Sequence, residues 1–136
     1  MLDTNVLSEL MRPQPAPAVV AWLRSQTRSR VFTTAISRGE TLYGTLLLPE
    51  GQRKRRLQQE VLAIFETDMA GRVLPYDAAA ADAHAVFAAA RRAQGRPVAM
   101  PDAMIAGIAH SRGAALATRN VRDFEGCGIT LIDPWH

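Results

Sequence analysis

Cysteine and lysine are nearly absent from this chain of 136 residues: Cys127 stands alone, and Lys54 is the single lysine beside fifteen arginines. A solitary thiol excludes an intrachain disulfide framework, and with only three scattered histidines, His84, His110 and His136, no zinc-ligand spacing exists. Apolar stretches such as Leu46 to Leu48 fall far short of the ~20 residues a membrane span requires, so no membrane partner is expected. Nothing ahead of Asp3 has the basic and apolar regions of a secretory leader, which makes a cytoplasmic location the expectation. Phosphate-binding GxxxxGK, nucleophile-bearing GxSxG and dinucleotide-binding GxGxxG patterns are missing too. NTPase, serine hydrolase and dinucleotide oxidoreductase readings therefore lose their main support. With no internal repeat and no Gly/Ser-rich linker, residues 1–136 read as one domain, of the ~100–150 residue size at which a single core is most common.

What is present is an alternation of short apolar runs and longer helical segments, which implies an α/β domain with helices on both faces of a parallel sheet. Strands are expected ending at Leu2, over Val31 to Thr34, Arg72 to Leu74, Ala115 to Ala117 and near Ile129 to Ile132. Helices are expected over Thr4 to Met11, Ala18 to Ser25, Ile36 to Leu48, Gln52 to Met69, Asp77 to Gln94 and Asp102 to Arg112. Pro13, Pro49 and Pro101, with Gly95 and Gly113, supply the punctuation.

Four acids share one place in that pattern. Asp3, Glu40, Asp102 and Asp123 each lie just past an expected strand or in the first turns of a helix, and the carboxyl ends of parallel strands converge on the edge where such sheets bind ligands. Each acid also has a local explanation. Asp3 suits the cap of the Thr4 helix, Glu40 the far end of a Ser37-Arg38-Gly39-Glu40 capping box, Asp102 a favourable place in a helix dipole, and Asp123 an ordinary turn with Asn120. Gathered together, four carboxylates repel, and either raised pKa values or a bound divalent cation must compensate. Hard oxygen donors favour Mg²⁺ or Mn²⁺, one or two ions, able to activate water and stabilise a phosphoryl oxyanion.

Setting those four aside leaves nine acids against sixteen bases, an acidic notch in a basic surface that suits a polyanionic substrate. Arginine predominance fits bidentate phosphate contacts and fits a GC-rich coding bias equally well. Candidate phosphate contacts are Arg38, Arg119 and the run Arg53-Lys54-Arg55-Arg56, which also reads as a solvated helix face. Tyr43 and Trp22 are candidate base-stacking aromatics whose helical spacing equally suits a core.

The segments Asp3 to Leu10 (DTNVLSEL), Glu40 with Tyr43-Gly44, Pro101 to Ala106 (PDAMIA) and Thr118 to Phe124 (TRNVRDF) resemble, in order and spacing, the PIN domain and in particular VapC-type toxins of the FitB-like branch. The resemblance implies a three-layer α/β/α sandwich around a central, mainly parallel sheet of four to five strands. It implies a Mg²⁺- or Mn²⁺-dependent endoribonuclease, the toxin of a toxin–antitoxin pair. Asp3, Glu40 and Asp102 would be the core metal-ligand acids and Asp123 the fourth, with Thr4, Asn5, Thr118 and Asn120 as supporting polar groups. Homodimers are implied, as are hetero-oligomers with a small VapB- or FitA-like antitoxin through which alone DNA is contacted. The antitoxin's C-terminal segment would lie in an apolar groove from the first helices and the Gln52 to Met69 helix, with Leu7, Leu10, Met11 and Trp22 as candidates. Two other readings stand beside it: a processing or decay nuclease of the same fold, and a catalytically silent binding module, against which the presence of all four acids counts.

Proteins of this type usually carry several apolar residues ahead of the DTN triplet, where this chain has Met1 and Leu2. A central strand that short is expected to forgo ladder hydrogen bonds on both sides, which points to a shortened or misassigned start.

Overall fold

The structure, a computed structural model, describes all 136 residues. Its sheet is assembled from very short parallel strands. Thr33–Thr34 (β1) pairs with Val73–Leu74 (β2), and Leu116–Ala117 (β3) pairs with Leu131–Ile132 (β4). Met1 to Asp3 runs between the two pairs and joins them. Leu2 donates its N–H to Phe32 O at 2.7 Å, Asp3 donates to Ala117 O at 3.0 Å, and Ala117 donates back to Met1 O at 2.8 Å. The Leu2 carbonyl accepts the Thr33 hydroxyl at 3.0 Å. The expected loss of bonds on both sides of this segment does not occur, because its backbone groups reach both flanks and a threonine side chain takes up the remaining carbonyl. The order across the sheet is β2, β1, the Met1–Asp3 segment, β3, β4.

Successive side chains of a strand leave on opposite faces, and this pleat divides the apolar residues between two cores. On one side, Leu2 and Ala117 pack with Val6 and Leu7 of Thr4–Leu10 (α1), Val19 of Pro17–Arg24 (α2) and Val61 of Gln52–Ala63 (α4). On the other, Leu116 packs with Phe87 of Ala78–Ala93 (α5), Ile105 of Met100–Ser111 (α6) and Phe124. The remaining helix, Ala35–Leu46 (α3), follows β1 directly. None of these helices is long and apolar enough to cross a membrane.

Two local expectations are corrected. The helix foreseen over Gln52 to Met69 is α-helical only to Ala63 and continues as a π-helical turn over Ile64–Asp68, with Met69 donating to Ile64 O at 2.8 Å. Leu57, Val61, Phe65 and Met69 recur every fourth residue, and the wider turn keeps that row facing the core where a 3.6-residue turn would rotate it away. The Ser37–Glu40 capping box does not form either. Thr34 is the cap of α3, accepting the Ser37 N–H at 3.0 Å, which leaves Glu40 free for another role.

Alanine-rich α5 starts at the cap Asp77, whose carboxylate accepts the Ala80 N–H at 3.0 Å, and lies tightly against α6. A Cβ on Gly107 of α6 would stand 2.3 Å from Ala80 O, so only glycine allows this approach. Gly107→Ala should lower unfolding free energy by about 1–3 kcal/mol. Gly44→Ala, on α3 with nothing within 4 Å of the added carbon, should be neutral or stabilising by up to ~1 kcal/mol. Urea midpoints compare the two, and equal midpoints would show that the α5–α6 contact yields without cost.

Candidate active site

Asp3 ends the central segment and caps α1, so its local role and its site role coincide. Its Oδ1 accepts the Thr4 N–H at 2.8 Å. Its Oδ2 accepts the hydroxyl of Thr118, just past β3, at 2.8 Å. The Thr118 oxygen also receives the Asn5 side-chain amide at 3.3 Å and the Asn120 N–H at 3.1 Å. With donors arriving from two directions, the Thr118 proton goes to Asp3. Asn5 is itself oriented, since its Oδ1 takes the Arg119 N–H at 3.3 Å.

Glu40 arrives from α3 by a chain of hydroxyls. Its Oε1 lies 2.7 Å from Thr4 Oγ1, which lies 2.9 Å from Ser37 Oγ, itself 3.3 Å from Thr34 Oγ1. Each hydroxyl has one proton, so donation from Thr4 to the carboxylate makes Ser37 donate to Thr4 and Thr34 donate to Ser37. Thr34 and Ser37 are fully buried, and this polar chain orients an exposed acid from within the core.

Asp102 enters from the first turn of α6, half-buried and without a protein hydrogen-bond donor on its carboxylate. Burial chiefly, then the charges of Asp3, Asp123 and Glu40, push its pKa up to about 6. Asp3 is also raised: burial outweighs the opposing Thr118 and Thr4 hydrogen bonds, and Glu40 and Asp123 add to it. The charges of the other three acids thus reach Asp102, and those of Glu40 and Asp123 reach Asp3. Asp102 lines both a cleft of about 520 Å³, shared with Asp3, Glu40, Arg119 and Asn120, and a smaller one of about 140 Å³ shared with Asp123.

Asp123 sits on the 3₁₀ turn Val121–Phe124, which a residue missed by the sequence reading holds in place. Arg91 of α5 is 6% exposed and has no carboxylate partner. Its Nη1 donates to the carbonyls of Asp123 at 2.9 Å and Glu125 at 3.1 Å, and its Nε donates to Arg96 O at 2.9 Å. A guanidinium engaged by three carbonyls ties the Asp123 turn to the loop leading into Asp102. At the end of an amphipathic alanine-rich helix, nothing in the local sequence separates Arg91 from solvent-facing Arg92.

The candidate phosphate contacts divide. Arg119 lines the acid cleft. Lys54 is corrected: it is buried, with its ammonium 2.6 Å from Glu50 one turn earlier. Arg38 pairs with Glu66 at 3.1 Å and lies over the Phe65 ring. Arg53, Arg55 and Arg56 are exposed on α4, outside the lining of the acid cleft. Tyr43 is exposed on α3 and Trp22 lines a cavity beside Met1, Phe32 and Ala115, and neither lines the acid cleft. The apolar groove exists: Leu7, Leu10, Met11, Leu23, Ile64 and Met69 line about 570 Å³, with Trp22 outside it.

As donors, the acids suit a hard divalent cation, although no three of them converge on one point. A hydrated divalent cation that takes one or two carboxylates directly and completes its shell with water needs no closer convergence. Asp102, with no competing donor, and Asp3, with its geometry fixed, are the best placed.

Residues 1–126 match the PIN domain, and the chain belongs to that family. It is 37% identical over 140 residues to Toxin FitB of Neisseria gonorrhoeae (strain ATCC 700825 / FA 1090), covering 100% of this chain and 98% of the relative. It is 33% identical over 136 residues to the tRNA(fMet)-specific endonuclease VapC of Shigella flexneri, covering 99% and 96%. The solved structure of FitAB bound to an IR36 DNA fragment superposes with a TM-score of 0.92 at 36% identity, over 99% of this chain and 94% of the other. The resemblance to VapC-type toxins, first drawn from four short motifs, holds over the whole chain.

The raised pKa of Asp102 has a defined sign. Its contribution to stability is fully present below the unfolded value near 3.8 and is lost as pH rises through about 6. Asp102→Asn, neutral throughout, should therefore stabilise the EDTA-treated protein at about pH 7.5 by the order of 1 kcal/mol, allowing for solvent screening, and give no gain at about pH 4. Denaturant midpoints at the two pH values test this, and an equal gain at both would exclude charge repulsion as its source.

Proposed function

We propose that this chain is a divalent-metal-dependent endoribonuclease, the toxin of a VapBC-type toxin–antitoxin pair acting in the cytoplasm. The observation that supports it most is the polar cleft lined by Asp3, Glu40 and Asp102 with Arg119 and Asn120, in which Asp102 lies half-buried without a hydrogen-bond donor. A fold does not keep an unpaired, half-buried acid among three others for stability, and the relatives' ribonuclease names agree with its use.

Asp3 and Asp102 would hold Mg²⁺ or Mn²⁺ directly, with Glu40 and Asp123 reaching it through water or serving a second ion. When bound there, such a cation would supply positive charge against the phosphoryl oxyanion and lower the pKa of water, with no separate side-chain base required. Thr118 and Thr4 keep the Asp3 and Glu40 carboxylates turned to the cleft by donating to them. Asn5 and Asn120 fix the Thr118 hydroxyl so that its proton stays on Asp3. Arg91 secures the turn that brings Asp123 toward Asp102.

The partner is a small antitoxin of the kind present in the FitAB complex, lying in the groove beside Leu10, Met11 and Ile64 and carrying the DNA contact. Assembly as a homodimer accompanies it.

Cleavage of a mixed structured-RNA pool by the purified chain should require Mg²⁺ or Mn²⁺ and stop with EDTA. Asp3→Asn and Asp102→Asn should each reduce it at least ~10²-fold while the fold is retained. Asp77→Asn, which removes the charge of the α5 cap and keeps an oxygen for the Ala80 N–H, should leave cleavage unchanged. Cleavage that survives in both site variants would trace to a contaminant or another centre, and no cleavage by the wild type would leave a binding module.

A further inference from the structure

One aromatic residue stands at the acid cleft without a part in the chemistry just described. Trp135, after β4, lines the cleft together with Asp3, Glu40, Asp102 and Arg119. The Arg119 guanidinium lies over its indole, 4.9 Å from the ring centroid. Both partners are fixed from behind. Trp135 packs against the core that contains Leu2 and Val6, and its backbone N–H donates to Asp133 Oδ1 at 2.9 Å. The Arg119 N–H is bound by Asn5, the residue that orients the Thr118–Asp3 contact. The Arg119 side chain is exposed and has no carboxylate partner, unlike Arg12 at the same cleft, which pairs with Glu9 at 3.2 Å.

We propose that Arg119 and Trp135 form a nucleotide-binding shelf, on which an unpaired base beside the cleaved phosphate stacks. A guanidinium over an indole presents a π surface at the rim of the cleft, and unpaired RNA bases are commonly held on aromatic and arginine planes. Bidentate phosphate contact also uses the guanidinium plane, so dependence on the base, rather than on charge, is what marks stacking. A planar base matches the flat face of the pair, whereas an acidic protein segment offers carboxylates and no ring, which ties the shelf to RNA. The identity of the ligand rests on the ribonuclease reading; the stacking geometry does not.

The chain has two tryptophans, Trp22 and Trp135, so intrinsic emission reports the shelf. Protein carrying Asp102→Asn is titrated with a short unstructured RNA, an abasic oligomer of the same length and a polyglutamate peptide. Intact RNA should quench emission, and the abasic oligomer should bind about tenfold more weakly with little quenching. Trp22→Phe should keep the quench, and Trp135→Phe should remove it. Arg119→Lys should weaken RNA binding about tenfold, some 1.4 kcal/mol. In the cleaving protein Arg119→Lys should raise KM by a similar factor while kcat stays within about twofold. Equal binding of abasic and intact RNA, full retention of affinity in Arg119→Lys, or quenching by polyglutamate alone would each overturn the shelf. Base-dependent quenching in a wild type that cleaves nothing would support it and sink the ribonuclease reading. Cleavage with unchanged KM in Arg119→Lys would do the opposite.

Discussion

Everything in this fold hangs on the three residues from Met1 to Asp3, which lie between two strand pairs that do not touch each other. Leu2 is bonded to the β1 side and Asp3 to the β3 side, so one short segment both closes the sheet and delivers the first acid to its edge. Strands of two residues offer few ladder bonds, and buried threonine and serine hydroxyls make up the difference. Thr33 binds the Leu2 carbonyl, and Thr34 caps α3. The same kind of hydroxyl then reaches the site itself, where Thr4 and Thr118 hold the carboxylates. Structure and site are continuous in this region, and no buried side-chain polar atom is left without a partner.

The acids illustrate how opposing effects are balanced. Hydrogen bonds favour ionised Asp3, yet burial and neighbouring charges prevail and raise it. Asp102 lacks even the hydrogen bonds, and its pKa rises to about 6. The protein thereby keeps a half-buried carboxylate without a hydrogen-bond donor beside the hydroxyl network that holds Asp3 and Glu40, at a cost in stability.

Much of this was legible in the amino-acid sequence. Helix and strand order followed from apolar periodicity, and the four acids followed from their common place after strands. What escaped depended on partners distant in the chain. Glu40 looked like a local capping group because Ser37 stands three residues before it, yet its partner is Thr4 from another element. Lys54 looked like part of a solvated basic run, while its stem is buried and its charge is taken by Glu50. Arg91 and Trp135 carry no motif: their roles come from an interhelical loop and from a residue of the turn after β3, which only the folded chain brings together. The π-helical turn was hidden as well, since a four-residue apolar spacing suits both an ordinary helix and a widened one.

The bond between Thr118 and Asp3 spans 115 residues, nearly the whole chain. During synthesis the N-terminal segment leaves the ribosome first and has to wait, with its central backbone groups satisfied only by water, until β3 and the turn carrying Asp123 have followed. The acid cleft is therefore among the last features to assemble. A nascent chain that has not yet delivered Thr118 leaves the Asp3 carboxylate without its partner, and no complete cleft exists on it.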